Sequence, residues 1–257
     1  TALMVSCILG HVIASWIQRE SIYTIKLMRR GIDLQAGQEL NVLRQLKVVL
    51  TIYPEDQVEM MDAENNPEDA DAGSRQIPFS RELYIERSDF MEDAPKKYFR
   101  LSPGREVRLK HGYYVTCTDV IKDDSGHIVE LHATFDPDSR GGWTDDGRKV
   151  RGTLHWVSVA HAIKTEVRMY DHLFASEDPS DVPDGGDFHQ NLNPDSLQIV
   201  QAVLEPSLAN AIPGQPYQFL RTGYFCVDSR DSNNGKPVFN RSVSLKDKWS
   251  RIQKQTG

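Results

Sequence analysis

A succession of short apolar runs, each cut off by a turn cluster, constrains this chain most. "LKVVLTIY", "ELYIER", "GYYVTCTDVI", "HIVELHATF", "VRGTLHWVSVA", "SLQIVQAVL", "YQFLRTGYFCV" and "VFNRSVSL" follow one another from Leu46 onward, separated by clusters such as "KDDSGH", "DPDSRGG" and "SNNGKP". Branched and aromatic residues in runs this short favour strands, and Gly, Asn, Asp and Pro between them favour turns. A parallel α/β sheet needs a helix between successive strands, and no long helical pattern separates these runs. The expected fold is mainly β, built as barrels or sandwiches.

Only the start of the chain departs from that period. Val5, Ile8, Leu9, Val12, Ile13 and Trp16 recur at helical spacing, and Ile22, Ile25 and Met28 suit a second short helix that stops at Arg29-Arg30-Gly31. Residues 1 to 38 are expected to form a short helical segment that packs and carries no chemistry. Its stretch "LMVSCILGHVIASWI" is interrupted by Ser, Gly and His and is too short to span a bilayer. No basic region precedes it, so neither a membrane helix nor a secretory leader is expected. The chain opens on Thr and reads as part of something longer. Cys7, Cys117 and Cys226 are far apart, odd in number and without C-x-x-C spacing, which predicts neither a disulfide framework nor a zinc ribbon and suits a reducing cytoplasm. Within the β part, the loop "ASEDPSDVPDGGDFHQNLNPD" (175–195) is the best linker or excursion, and a division near residue 162 separates 39–162 from 163–257.

Charge is distributed unevenly. The formal net charge of −7 hides a stretch, "KKYFRLSPGREVRLK", in which Lys96, Lys97, Arg100, Arg105, Arg108 and Lys110 face the single acid Glu106. The segment "YPEDQVEMMDAENNPEDADAG" before it holds acids and no bases. For a polyanion the local field matters more than the net charge. In "EVRLK" a regular strand sends Val107 and Leu109 to one face and Glu106, Arg108 and Lys110 to the other, so both cations point toward one surface. Lys96 and Arg100, with Tyr98 and Phe99 between them, add bases and rings nearby. Pattern alone leaves two readings open: a solvated outer face, or a surface that meets a polyanion.

Other chemistry is weakly signalled. His155 and His161 in "LHWVSVAH" are six apart, which matches no helical or strand-adjacent metal pair, so they are read as packing or hydrogen-bonding residues. No glycine-rich phosphate loop and no Ser-His-Asp order stands out. The expectation is no metal, no cofactor and no self-contained active site in this chain.

The segments "GSRQIPFSRELYIERSDF", "GREVRLKHGYYV", "DGRKVRGTLHWVSVAHA", "EVRMYDHLF", "NPDSL", "EPSL", "YQFLRTGYFCVDSRDS" and "KPVFNRSVSLKDKW" occur in that order from about residue 40 to about residue 250. Together they resemble the C-terminal anticodon-binding half of glutaminyl-tRNA synthetases. The resemblance implies two antiparallel β-barrels, the first (39–162) related to a ribosomal barrel that binds 5S RNA and the second spanning 163–257. It implies the anticodon loop of tRNA-Gln as partner and a monomeric cytoplasmic enzyme. That enzyme's catalytic domain uses ATP with Mg²⁺ to charge the tRNA. The HIGH-type and KMSKS-type motifs of that domain are missing from these residues, so the chain alone is expected not to aminoacylate.

By resemblance, Lys97, Arg100, Arg108 and Lys110 fall where the family sets polar and cationic side chains against the anticodon loop. Gln218 and Arg221 fall where it reads the middle anticodon base. Relatives carry Gln, Lys and Arg where this chain has Lys97, Phe99 and Lys110. A Lys cannot reproduce the two-pronged fork of Arg, so phosphate contact is expected of Lys110 rather than base reading. Gln218 and Arg221 are three apart, which requires a bulge or a strand end between them if both meet RNA. The family's "DLN…APR…MAV" junction is absent from "ELNVLRQLKVVL", and its contact is not assigned to Arg44. Two rival readings are a ribosomal-type RNA-binding barrel and a protein-interaction module without an RNA role.

Overall fold

The computed structural model describes residues 41–65, 70–183, 185–219, 222–233 and 235–244. The helical segment expected over residues 1 to 38 lies outside them. The first eight strands are β1 (Asn41–Val42), β2 (Gln45–Leu50), β3 (Glu59–Glu64), β4 (Ser74–Phe79), β5 (Glu82–Glu86), β6 (Glu106–Leu109), β7 (Tyr114–Lys122) and β8 (Ile128–Asp136). They are followed by β9 (Thr153–Leu154), β10 (Trp156–Ser158), β11 (Ile163–Tyr170), β12 (Leu197–Leu204), β13 (Pro216–Phe219), β14 (Gly223–Val227) and β15 (Phe239–Ser244). Within the described residues the helical elements are short 3-10 turns, and the fold is mainly β as expected.

Seven strands form one sheet in the order β10-β5-β2-β8-β7-β6-β9. Its two end strands, β9 and β10, are one stretch of chain broken only at His155. Thr153 and Leu154 pair with β6, and Trp156 to Ser158 pair with β5, so a strand that changes partner nearly closes the sheet into a barrel. Alternation fills the inside: Leu46, Val48 and Leu50 of β2 and Leu131 and Ala133 of β8 are buried. Lys47, between them on the outer face, bridges Glu82 at 2.5 Å and Glu130 at 3.2 Å. The β3–β4 hairpin caps this core with Met61, Ala63, Ile77 and Phe79. Phe79 meets Tyr53, Tyr113 and Trp156 edge-to-face at ring distances of 4.9 to 5.3 Å.

Six strands form the second sheet, in the order β1-β12-β11-β15-β14-β13, over a separate core of Val167, Leu204, Phe219, Phe225 and Phe239. Most pairings are antiparallel, but β2–β8, β6–β9 and β11–β15 are parallel. The loop 171–196 joins β11 to its antiparallel neighbour β12, so the Asp/Pro/Gly-rich stretch is an excursion within this sheet.

The first described strand belongs to the second sheet: Asn41 and Val42 pair with Leu204 and Val203 of β12. Val42, Val157 and Val203 form a small buried cluster where the two cores meet. Across the same seam Arg75 of β4 grips Glu205 with two bonds, Nε to Oε2 at 2.8 Å and Nη2 to Oε1 at 3.2 Å. Glu205 is buried; burial raises its carboxyl above the ordinary range while Arg75 pulls it down, and the net direction is upward. Among the described residues no helix is long and apolar enough to cross a membrane.

Candidate nucleic-acid interface

The strand β6 does what its alternation predicts. Val107 and Leu109 are buried in the barrel, while Glu106, Arg108 and Lys110 are partly exposed. Pairing with β9 sets Arg108 beside Thr153, and the Thr153 hydroxyl accepts from Arg108 Nη2 at 2.8 Å and Nε at 3.1 Å. The guanidinium lies over the ring of Trp143, 5.5 Å from its centre. Gly142 closes over the stem: at φ +86° it has the left-handed conformation that favours glycine, and a Cβ there would sit 2.6 Å from Arg108 Cδ. Glu106 is engaged by Arg148, which also grips Asp136 and Asp146. One guanidinium is thus shared by three carboxylates beside the basic stretch.

Lys110 follows β6, its N–H donating to Leu154 at 2.9 Å and its carbonyl accepting from Trp156 Nε1 at 2.8 Å. His111 turns the chain at φ +60°. Burial, then the charges of Lys110, Arg75 and Arg108, lower the pKa of His111 to about 4. His155 is buried, and burial with Arg75, Lys110 and His111 lowers its pKa to about 3. Its Nε2 lies 4.0 Å from Glu205 Oε1, so a neutral imidazole stands beside the carboxylate rather than an ion pair. Arg75 and Lys110 thus act on both histidines, although Arg75 is itself paired with Glu205.

Arg100 is held by Asp89 at 3.2 Å and by the Ser88 carbonyl at 2.9 Å, and it remains about one-third exposed. Lys97 sits exposed in the turn before it. Phe99, between them, is 46% exposed and carries Arg151 over its ring at 5.4 Å. Gln218 lies on β13 opposite Tyr224, on the outward side between buried Tyr217 and Phe219. β13 ends at Phe219. Arg221 itself lies outside the described residues. His161 bonds the Ser158 hydroxyl at 2.9 Å, the hydrogen-bonding role read for it. Among the described residues no group of three or more His, Cys, Asp or Glu could hold a metal ion.

Residues 40–136 match the family model described as "tRNA synthetases class I (E and Q), anti-codon binding domain", and residues 153–228 match a second model of the same description. The chain belongs to this family. It is 49% identical over 225 residues to the glutamine-tRNA ligase of Nitrobacter hamburgensis, an alignment covering 88% of this chain and 39% of the relative. The glutamine-tRNA ligase of Rhodopirellula baltica is 50% identical over 226 residues, covering 88% and 37%. That of Bordetella avium is 53% identical over 226 residues, covering 87% and 38%. The chain therefore spans about two-fifths of the length of these relatives. The resemblance to the anticodon-binding region of glutaminyl-tRNA synthetases stands.

For this class I anticodon-binding domain, the first matched span contains Lys97, Arg100, Arg108 and Lys110 and the second contains Gln218 and Arg221. Residues 137–152, which carry Gly142, Trp143, Arg148 and Arg151, lie between the two spans. Sequence reasoning missed Thr153 and Trp143 as the partners that fix Arg108. The parallel β6–β9 pairing brings Thr153 there from 45 positions away, and no local period signals it.

Proposed function

We propose that this two-sheet unit recognises the anticodon loop of tRNA-Gln within a glutamine-tRNA ligase that works in the cytoplasm as a monomer. On this reading residues 39–162 and 163–257 act as proximal and distal anticodon-binding barrels. ATP and Mg²⁺ serve a separate catalytic domain of the same protein, and no cofactor binds these residues. The observation that carries it is Arg108, a cation on the outer face of the first barrel held by a threonine hydroxyl and a tryptophan ring. Unpaired loop bases can be splayed out, so side chains can reach their edges while lysines hold phosphates.

In this assignment Arg100 and Arg108 contact the loop with directed N–H groups, and Lys97 and Lys110 meet phosphates. Gln218 and Arg221 read the middle base. A good bidentate base contact contributes roughly 1–3 kcal/mol of discrimination, so selective reading takes several such contacts at once. The test is a titration of the chain with a tRNA-Gln anticodon stem-loop and a middle-base variant at two salt concentrations. The expected result is tighter binding of the cognate loop that falls steeply with salt, by a slope of about −0.7 per phosphate contact. Equal binding of both loops would remove base reading from Gln218 and Arg221, and absence of binding would overturn the assignment.

A further inference from the structure

Trp143 is 74% exposed, more than any other large apolar side chain among the described residues. It belongs to neither core, and it lies between the two spans that match the family. The loop that carries it is nevertheless tightly built. Ser139 accepts from Gly142 N–H at 2.8 Å, and its hydroxyl accepts from Tyr114 N–H at 2.7 Å while donating to the Asp136 carbonyl at 2.6 Å. Further along, Thr144 donates to Asp146 at 2.5 Å, and Arg148 ties Asp146 to Glu106 and Asp136. An exposed indole on a loop fixed at both ends loses little further freedom when a flat ligand meets it.

One face of that indole carries the Arg108 guanidinium at 5.5 Å from the ring centre. At 74% exposure the opposite face is open to solvent. Phe99 repeats the arrangement, half exposed beneath Arg151, and its carbonyl packs against Gly152, whose own carbonyl accepts from Arg108 N–H at 2.7 Å. Two arginine-backed rings therefore adjoin Arg108, Trp143 by direct contact and Phe99 through the backbone of Gly152. Arginine over an aromatic face, with the other face free, is the arrangement on which an unpaired nucleobase stacks.

We infer that Trp143 is a stacking platform for an unpaired RNA base, which closes an arginine–indole–base sandwich beside Arg108. This deepens the anticodon-loop reading and rests on it. Stacking is tolerant of base identity and neutralises no phosphate, so Trp143 adds affinity for single-stranded loops without adding to the salt slope.

The test compares the parent chain with Trp143→Ala and Trp143→Phe, using an anticodon stem-loop and a fully paired duplex of the same length. Trp143→Ala is expected to weaken stem-loop binding about tenfold while leaving the salt slope and the duplex affinity unchanged. Trp143→Phe is expected to keep most of the affinity and to lose the quenching of indole emission that the loop causes in the parent. Unchanged stem-loop affinity in Trp143→Ala overturns the inference. So does a salt slope that drops by about 0.7, because the ring would then act only by holding Arg108. If the parent itself fails to bind the stem-loop, the anticodon reading has failed; if the parent binds and Trp143→Ala matches it, only the platform has.

Discussion

At Arg108 the charge and its direction come from different residues. The strand β6 places the Cα, Thr153 takes two guanidinium N–H groups, and Gly142 leaves room for the stem where any side chain would collide with it. A lysine there would keep the charge and lose the fork. Arg108→Lys should therefore preserve the salt slope of RNA binding while reducing the preference for the cognate loop. Arg108→Ala should lower the slope by about 0.7 as well. Titrations of both variants at several salt concentrations check this, and an unchanged slope in Arg108→Ala would remove the residue from the interface. The outward aim of Arg108 was legible in "EVRLK", because a period of two decides it. What holds Arg108 was not, because Thr153 and Gly142 reach it through a parallel pairing and a turn.

At the scale of elements, β9 and β10 make the barrel close by changing partners at His155, and that residue is buried as a consequence. Its pKa is near 3 in the folded chain against about 6.5 for an ordinary histidine. The unfolded chain thus binds a proton that the folded chain refuses. Stability is full above about pH 6.5 and is lost as the pH falls from there toward 3. Between pH 7.5 and 5.0 this single group should account for a loss of about 2 kcal/mol. His111, also lowered, adds in the same sense, whereas Glu205, raised by burial, titrates with the opposite sign. Urea unfolding of the parent and of His155→Gln at the two pH values isolates the effect, and equal losses in both would refute it. Most strands could be read from the sequence, from "LKVVLTIY" in β2 to the hairpin "YQFLRTGYFCV" in β13 and β14. The β3–β4 hairpin could not, since "EMMDAE" is dominated by carboxylates and shows its inward face only through Met61 and Ala63. The strand β11 was overlooked although "IKTEVRMY" alternates charged and apolar residues, the same period of two that exposes β6.

At the scale of the molecule, the two cores are joined by Val42, Val157 and Val203 and by the Arg75–Glu205 pair. Removing one partner of a buried pair leaves the other charge without compensation, which costs about 3–5 kcal/mol. Arg75→Ala should destabilise the chain by about that amount. Replacing both residues, Arg75→Met with Glu205→Leu, should recover most of it. Chemical denaturation followed by far-ultraviolet circular dichroism separates the outcomes: a loss below about 1 kcal/mol in Arg75→Ala would mean that the seam does not depend on this pair.

The pairing of β1 with β12 has a consequence for synthesis on the ribosome. Every strand of the first barrel has been made once Ser158 has emerged, but Asn41 and Val42 must wait for Val203 and Leu204. From Ser158 to Leu204 is about 46 residues of further translation, on the order of 2–9 s at ordinary elongation rates. Through that interval Val42 and Val157 stand uncovered on a nascent barrel, and the backbone of β1 offers a strand edge to any neighbouring chain. The first barrel thus waits on β12, a strand translated after it, to cover its seam.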